Sequence, residues 1–278
     1  MKGKVCVITG ATSGIGFEAA RELGAMGARL VLVARDKARA EATLKVFATE
    51  GINARVFYAD LSRVPEMKRV AGEIAAAEPK IDALVNNAGA LFNGRAETPD
   101  GIERTFALNH LGYFVIANLL KERLAAAAPS RLINVASEAH RDARLDFDDL
   151  QNKKNYLGLK VYGRSKLCNI LFTRELARRL KGTGVYANCM HPGFVNTRFG
   201  DNNGAVFRFG IGMAKRMSGR PVEKGAETVV YLASSPEAAK VEGEYYFDCK
   251  PKVPSAAAQN DDDARRLWTE SARLTGVG

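Results

Sequence analysis

The amino-acid sequence predicts an α/β fold: a doubly wound parallel sheet of about seven strands with helices on both faces. Three observations carry that expectation. Short, almost wholly apolar runs such as Lys4-Val5-Cys6-Val7-Ile8-Thr9 and Arg29-Leu30-Val31-Leu32-Val33-Ala34 read as strands covered on both sides. These runs alternate with helical stretches, as in parallel strands joined by crossover helices. A glycine-rich turn, Gly10-Ala11-Thr12-Ser13-Gly14-Ile15-Gly16, joins the first strand to the first helix.

With 278 residues, 46% hydrophobic and 26% charged, the chain can bury one large core, so a single domain over 1–278 is expected. The formal charge of +10 comes from basic residues spread along the chain. That spread reads as a solvated surface, partly used to bind an anionic cofactor, and not as a nucleic-acid or membrane-binding patch. Cys6, Cys168, Cys189 and Cys249 match neither a metal motif nor a disulfide framework and are expected to be reduced thiols. Met1-Lys2-Gly3-Lys4 leads straight into a strand and no segment suits a bilayer span, so a cytoplasmic protein without a membrane span is expected.

In the first turn, glycines let backbone amides approach a phosphate, and the N-terminus of the following helix favours an anion. The spacing of Gly10, Gly14 and Gly16 departs from the commonest dinucleotide fingerprint but serves the same geometry. The second strand ends at Arg35, where an NAD-binding chain commonly carries an acid for the ribose 2′-hydroxyl. An arginine there suits a 2′-phosphate, so NADP(H) is preferred over NAD(H). After the third strand, 54–58, Asp60-Leu61 is placed to meet the adenine, with capping of the next helix as the plainer role for Asp60.

The fourth strand, 81–85, runs into Asn86-Asn87-Ala88-Gly89, whose small residues permit close packing on a cofactor. Asn86 is assigned mainly to the cofactor side, and Asn87 to tying strands together. Thr98-Pro99 predicts the start of a long helix reaching about residue 127, with Asn109 buried at its middle among Phe106, Leu108, Leu111 and Phe114. Ser137 stands at the carboxyl end of the fifth strand, 131–136, where open α/β sheets bind ligands; it is either a substrate contact or a turn cap.

The acidic stretch containing Asp142, Asp146, Asp148 and Asp149 lacks calcium-loop spacing and reads as a solvated excursion, so no metal is expected. A helix from about residue 160 to 180 carries Tyr162 and Lys166, four apart and on one face. The sixth strand, 185–190, leads to His191-Pro192-Gly193, and 194–220 mixes apolar and basic residues in the manner of a substrate lid. A helix near 222–234, a last strand near 245–249 and a helix near 261–274 complete the chain.

Taken together, Thr9-Gly10-x-x-x-Gly14-x-Gly16, Asn86-Asn87-Ala88-Gly89, Ser137, Tyr162-x-x-x-Lys166 and Pro192-Gly193, in that order, resemble the short-chain dehydrogenase/reductase family and its Rossmann fold. Asn109-His110-Leu111-Gly112-Tyr113-Phe114, Ser137-Glu138-Ala139-His140 and Tyr246-Phe247-Asp248-Cys249-Lys250 resemble its retinol dehydrogenase branch, which includes the WW-domain oxidoreductases. The resemblance implies a catalytic tetrad of Asn109, Ser137, Tyr162 and Lys166. Tyr162 is then the general acid or base, Lys166 lowers the phenol pKa and binds the nicotinamide ribose, Ser137 bonds the substrate oxygen, and Asn109 holds a water.

For the cofactor the resemblance implies Gly10, Thr12, Ser13, Gly14, Ile15 and Gly16 around the phosphates, with Arg35, Asp60 and Leu61 at the adenosine. Asn86, Ala88, Gly89, Pro192, Gly193, Val195 and Thr197 then lie toward the nicotinamide. The expected activity is NADP(H)-dependent interconversion of an apolar ketone or aldehyde and its alcohol, in a homodimer or homotetramer. The alternative is a cofactor-binding sensor or scaffold without turnover. The hydrophobic N-terminal anchor of many animal relatives has no counterpart in Met1-Lys2-Gly3-Lys4, which points away from a membrane retinoid enzyme.

Overall fold

The computed structural model describes residues 1–195 and 219–278. The predicted nicotinamide contact Thr197, and all of the predicted lid except its two margins, lie outside the described residues.

The apolar runs become strands because each can bury both of its faces. In β1 (Val5–Thr9) and β2 (Arg29–Ala34), Val7, Val31 and Val33 join one core, while Cys6, Ile8, Leu30 and Leu32 join the other. The first core lies under α3 (Val64–Ala77), α5 (Gly112–Ala125), α6 (Gly158–Leu180) and α8 (Asp261–Thr275). The second lies under α1 (Gly14–Ala25), α2 (Lys37–Thr49) and α7 (Val222–Ser234).

The remaining strands are β3 (Ala54–Tyr58), β4 (Ala83–Asn86), β5 (Ser130–Val135), β6 (Val185–Met190), β7 (Tyr245–Phe247) and β8 (Lys250–Pro251). Their order is β3-β2-β1-β4-β5-β6-β7-β8. Among the described residues seven strands are parallel, as expected. The added β8 pairs antiparallel with β7 through Phe247↔Lys250, closing the edge with a short hairpin that sequence reading missed. The order reverses between β1 and β4, so their carboxyl ends flank the crevice where open α/β sheets take ligands.

The expected long helix beginning at Thr98-Pro99 is corrected. Helix α4 (Arg104–Phe106) starts later, because the Glu103 carboxylate accepts from the amides of Thr105 and Phe106, both at 2.7 Å. A π turn over Ala107–Leu111 separates it from α5, with the Gly112 amide donating to the Ala107 carbonyl. Asn109 sits in this turn. Such inserted residues rotate a helix locally and often re-aim a side chain at a site.

Candidate active site

The first half of the crevice is built from backbone. At Gly16 a Cβ would stand 2.3 Å from Asn87 Nδ2 and 2.6 Å from the Gly10 carbonyl, so only glycine lets α1 begin this close to the end of β4. Gly10 has φ +71°, and its Cβ would meet Ala88 Cα at 2.8 Å. Asn87 clamps the turn: its Nδ2 donates to the carbonyls of Thr9 at 3.0 Å and Gly10 at 3.1 Å. Thr9 Oγ1 accepts from the amides of Asn87 and Ala88, a role that sequence reading did not assign to it.

Ser13 occupies the N-cap of α1 yet makes no side-chain cap bond, unlike Asp36 on α2 or Asn260 on α8. First-turn amides lack intrahelical partners, so this N-terminus fits a phosphate both sterically and electrostatically. Thr12, Ser13, Gly14 and Ile15 line the turn. Arg35 extends from the end of β2 with its side chain 69% exposed; its ion-pair contact among the described residues is Asp60, at 3.9 Å. Asp60 also accepts from the Ser62 amide and hydroxyl, closing a turn before α3, whose first amide is instead capped by Asp100. The Leu61 side chain is buried.

Asn86 behaves differently from its expected role. Its side chain is fully buried within the sheet, with Nδ2 donating to Asn134 Oδ1 at 2.9 Å, and Asn134 donates on to Thr173. The asparagine at the strand end thus ties β4 to β5, as Asn87 ties β1 to β4.

The second half is built from side chains. The 3.6-residue period of α6 turns Tyr162 and Lys166 to the same side, facing the end of β5. Lys166 Nζ donates to the Val135 carbonyl at 2.9 Å and lies 5.7 Å from the centre of the Tyr162 ring and 5.5 Å from that of Tyr113. Tyr113 donates to the same carbonyl, at 3.4 Å. Gly89 approaches so closely that a Cβ would stand 3.2 Å from Asn109 Oδ1 and 3.4 Å from Lys166 Nζ. The fully buried Asn109 accepts from the Ala90 amide and donates to the Ala90 carbonyl and to Ser165 Oγ, all within 3.0 Å. Ser165 Oγ in turn donates to the Tyr162 carbonyl at 2.7 Å.

Ser137 takes the cap role of its two expected readings. Its hydroxyl accepts from the Ala139 amide, capping the short turn Glu138–His140, and is also a hydrogen-bond partner of Tyr162. Asn109, Ser137, Tyr162 and Lys166 therefore converge in one pocket. The expected lowering of the Tyr162 pKa is not found. Burial pushes the phenol up to about 12, with only the Ser137 bond opposing, and burial pushes Lys166 down to about 7. Loss of hydration penalises the charged form of each group.

At the far side of the crevice Pro192 and Gly193 follow β6, with Gly193 at φ +77°. Val195 is buried, and a Cβ at Gly225 of α7 would meet Val195 at 2.8 Å and Ile15 at 3.3 Å, so this segment packs back onto the glycine loop. Among the described residues no group of His, Cys, Asp or Glu side chains is disposed to hold a metal ion. In the acidic stretch, buried Asp149 instead accepts from the amides of Lys153 and Lys154. All four cysteines are free, and all but Cys249 are buried. No helix among the described residues is long and apolar enough to cross a membrane.

This arrangement agrees with what the chain is similar to. It is 39% identical to human retinol dehydrogenase 13 over 99% of its own length and 85% of the relative's. It is 40% identical to mouse retinol dehydrogenase 12, over 99% and 87%. A crystal structure of an uncharacterized protein from Mycobacterium paratuberculosis superposes with a TM-score of 0.82 at 31% identity, over 99% of this chain and 94% of that one. A crystal structure from Beutenbergia cavernae with NADP bound at low occupancy gives 0.71 at 25% identity, over 88% and 94%. The family model described as short chain dehydrogenase matches residues 4–205, and with the glycine turn and the four converging side chains in place the chain belongs to the short-chain dehydrogenase/reductase family, similar to its retinol dehydrogenase branch.

Proposed function

We propose that this oxidoreductase uses NADP(H) to interconvert an apolar ketone or aldehyde and its alcohol, with Tyr162 as general acid or base. The observation that carries the reading is the convergence of Ser137, Tyr162, Lys166 and Asn109 beside an uncapped helix N-terminus. When bound, the nicotinamide supplies the hydride in reduction and accepts it in oxidation. Thr12, Ser13, Gly14, Ile15 and Gly16 hold the phosphates, and Pro192, Gly193, Val195 and Thr197 meet the carboxamide end. The exposed Arg35 guanidinium would meet the 2′-phosphate through charge-assisted hydrogen bonds.

In reduction the Ser137 hydroxyl donates to the substrate carbonyl oxygen and Tyr162 transfers its phenolic proton to the oxygen as alkoxide character develops. The phenolate left behind is stabilised by protonated Lys166. A phenol pushed up to about 12 is protonated at neutral pH, the state the reductive direction requires. Lys166, whose pKa lies at about 7, gains charge when anionic groups enter the pocket. Asn109, held on both of its amide atoms, positions a water that leads toward Lys166. The names of the retinol dehydrogenase relatives support an apolar substrate. We further propose a single-domain protomer with a lid near 194–220, assembled as a homodimer or homotetramer and working in the cytoplasm, a setting supported by the free thiols.

The test is NADPH consumption with a broad panel of hydrophobic aldehydes and ketones. Turnover of at least one is expected, and none across the panel despite tight NADPH binding would replace the enzyme reading with that of a sensor. Arg35→Asp should weaken NADPH at least about tenfold more than NADH, the scale of one charge-assisted hydrogen bond. Equal weakening of both would remove Arg35 from the 2′-phosphate.

A further inference from the structure

Lys166 is 3% exposed, and among the described residues its ammonium has no ion-pair partner. Burial pushes it down to about 7, so near neutrality the group stands between two charge states and modest interactions decide between them. A buried ammonium without a carboxylate must be compensated by dipoles and ring faces. The structure offers it the Val135 carbonyl at 2.9 Å, the Tyr162 ring on its own helix and the Tyr113 ring on α5, centred 5.7 and 5.5 Å from Nζ. Those two phenols are the titratable groups that face it. From β5 it meets main chain, and Gly89 and Asn109 beside it carry no charge.

The Val135 carbonyl is available because the sheet forks beside it. The register of β4 and β5 pairs Asn86 with Asn134, so a ladder carried one step further would send the Ala88 amide to Val135. That amide donates to Thr9 Oγ1 at 3.0 Å instead, drawn toward β1. Three side-chain donors take its place: Lys166 Nζ at 2.9 Å, with Tyr113 Oη and Asn169 Nδ2 each at 3.4 Å. A carbonyl oxygen has two lone pairs, so these donors compete for it, and the ammonium is the nearest. Burial first, and Tyr162 second, push the buried Tyr113 phenol well above its ordinary range, which keeps it a neutral donor. Tyr113 thus meets Lys166 through its ring and the acceptor of Lys166 through its hydroxyl.

We infer that Tyr113 is a positioning residue for Lys166: its ring face carries the ammonium, and its hydroxyl shares the Val135 carbonyl on which that ammonium is seated. The two contacts act in opposite directions. The ring face favours the cation, whereas the hydroxyl draws on the acceptor that the cation uses. The consequence for turnover rests on the proposed role of protonated Lys166 in stabilising the Tyr162 phenolate. The consequence for Lys166 itself does not.

Two variants separate the contacts. Tyr113→Phe keeps the ring and loses the hydroxyl; Tyr113→Leu loses both, and Tyr113→Met takes its place if the leucine variant does not fold. The direct readout is the titration of Lys166 in cofactor-free protein, followed by NMR of lysines isotopically labelled at Cε and assigned as the signal missing from Lys166→Met. In Tyr113→Leu the midpoint should fall by about 0.5 to 1.5 pH units, the span of a partly to fully desolvated cation–π contact. In Tyr113→Phe it should stay at the wild-type value or rise. Loosened packing alone would admit water and raise the midpoint of the ringless variant. A ringless midpoint that does not fall, or a Tyr113→Phe midpoint that falls as far, overturns the inference. In reduction, kcat of Tyr113→Leu relative to wild type should be up to about tenfold lower at pH 8 than at pH 6, because the charged fraction of a lysine drops about tenfold per pH unit above its midpoint. The midpoint split without this pH-dependent loss leaves the hold of Tyr113 on Lys166 standing and overturns the role of the Lys166 charge in the reaction.

Discussion

The two halves of the crevice solve different problems. The glycine half, from β1 to the end of β4, is made of main chain: Gly10, Gly16 and Ala88 pack at distances no side chain tolerates, and Asn87 and Thr9 tie the turn to its neighbours. It asks nothing of titration and pays nothing for charge. The tetrad half, around β5 and α6, places an amine and a phenol where loss of hydration drives each toward its neutral form, Lys166 to about 7 and Tyr162 to about 12. On the proposed reading the contrast makes affinity and chemistry separable: steric fit and helix electrostatics would bind the cofactor, while the titratable groups would react.

The sharpest way to break that division is Tyr162→Phe. It should lower kcat by about a hundred- to ten-thousand-fold, the usual worth of a general acid, with NADPH affinity within about twofold of wild type. Steady-state kinetics and a binding titration check it, and retained turnover would remove Tyr162 as the acid. The mirror experiment is Gly16→Ala. The added methyl must displace Asn87 or the Gly10 carbonyl, so NADPH affinity should drop by about ten- to a hundredfold, in line with overpacking costs of about 1–3 kcal/mol. Here kcat at saturating cofactor should hold to within a few-fold; a loss confined to kcat would undo the separation of the two halves.

A smaller effect tests the coupling between them. The Lys166 pKa is depressed to about 7 by burial, so as pH rises through 7 the site loses a cation. NADPH affinity, measured from pH 6 to 9, should weaken by up to about tenfold per unit once Lys166 is neutral. The Lys166→Met variant should give a flat profile, and a wild-type curve without an inflection would show that the lysine charge does not contribute to binding.

The smallest effect concerns stability and asks whether enforced neutrality is special to the tetrad. His110 is fully buried among Phe106, Phe114 and Phe172, with Nε2 bonded to Ser271 Oγ at 2.8 Å, and burial pushes it from an ordinary 6.5 down to about 3. The unfolded chain takes up a proton at this histidine below 6.5 while the folded one does not. Its contribution is therefore complete above pH 6.5 and is lost as pH falls toward 3, with a slope of up to about 1.4 kcal/mol per unit. Denaturant midpoints at pH 7 and pH 5 should diverge more in wild type than in His110→Phe, which cannot titrate there. Equal divergence would assign the acid sensitivity to other groups.

How much of this was readable in the chain depended on whether the cause was local. Gly10, Gly14 and Gly16 announce a tight strand-to-helix turn, because a missing Cβ is a property of the residue itself. Tyr162 and Lys166 announce a shared face through their spacing alone. The start of α4 was misread at Thr98-Pro99 because the capping group is Glu103, whose carboxylate serves amides two and three residues ahead, a role its residue type does not advertise. The π turn that carries Asn109 left no pattern, and the donation of Asn86 to Asn134 required knowing that β4 and β5 are neighbours. The contacts of Glu138 with His191 and Lys252 span 53 and 114 positions of sequence, and no local pattern links them.

The sequence by itself determined the layered α/β architecture, the glycine turn and the candidate tetrad, since apolar runs, glycines and helical spacing constrain a chain wherever it lies. Only the tertiary structure decided which asparagine ties which strands, which turns flank Ser137 and Gly193, and which protonation states the pocket imposes. Hydrogen bonds between distant segments, and the loss of water around a charge, exist only once the segments have met.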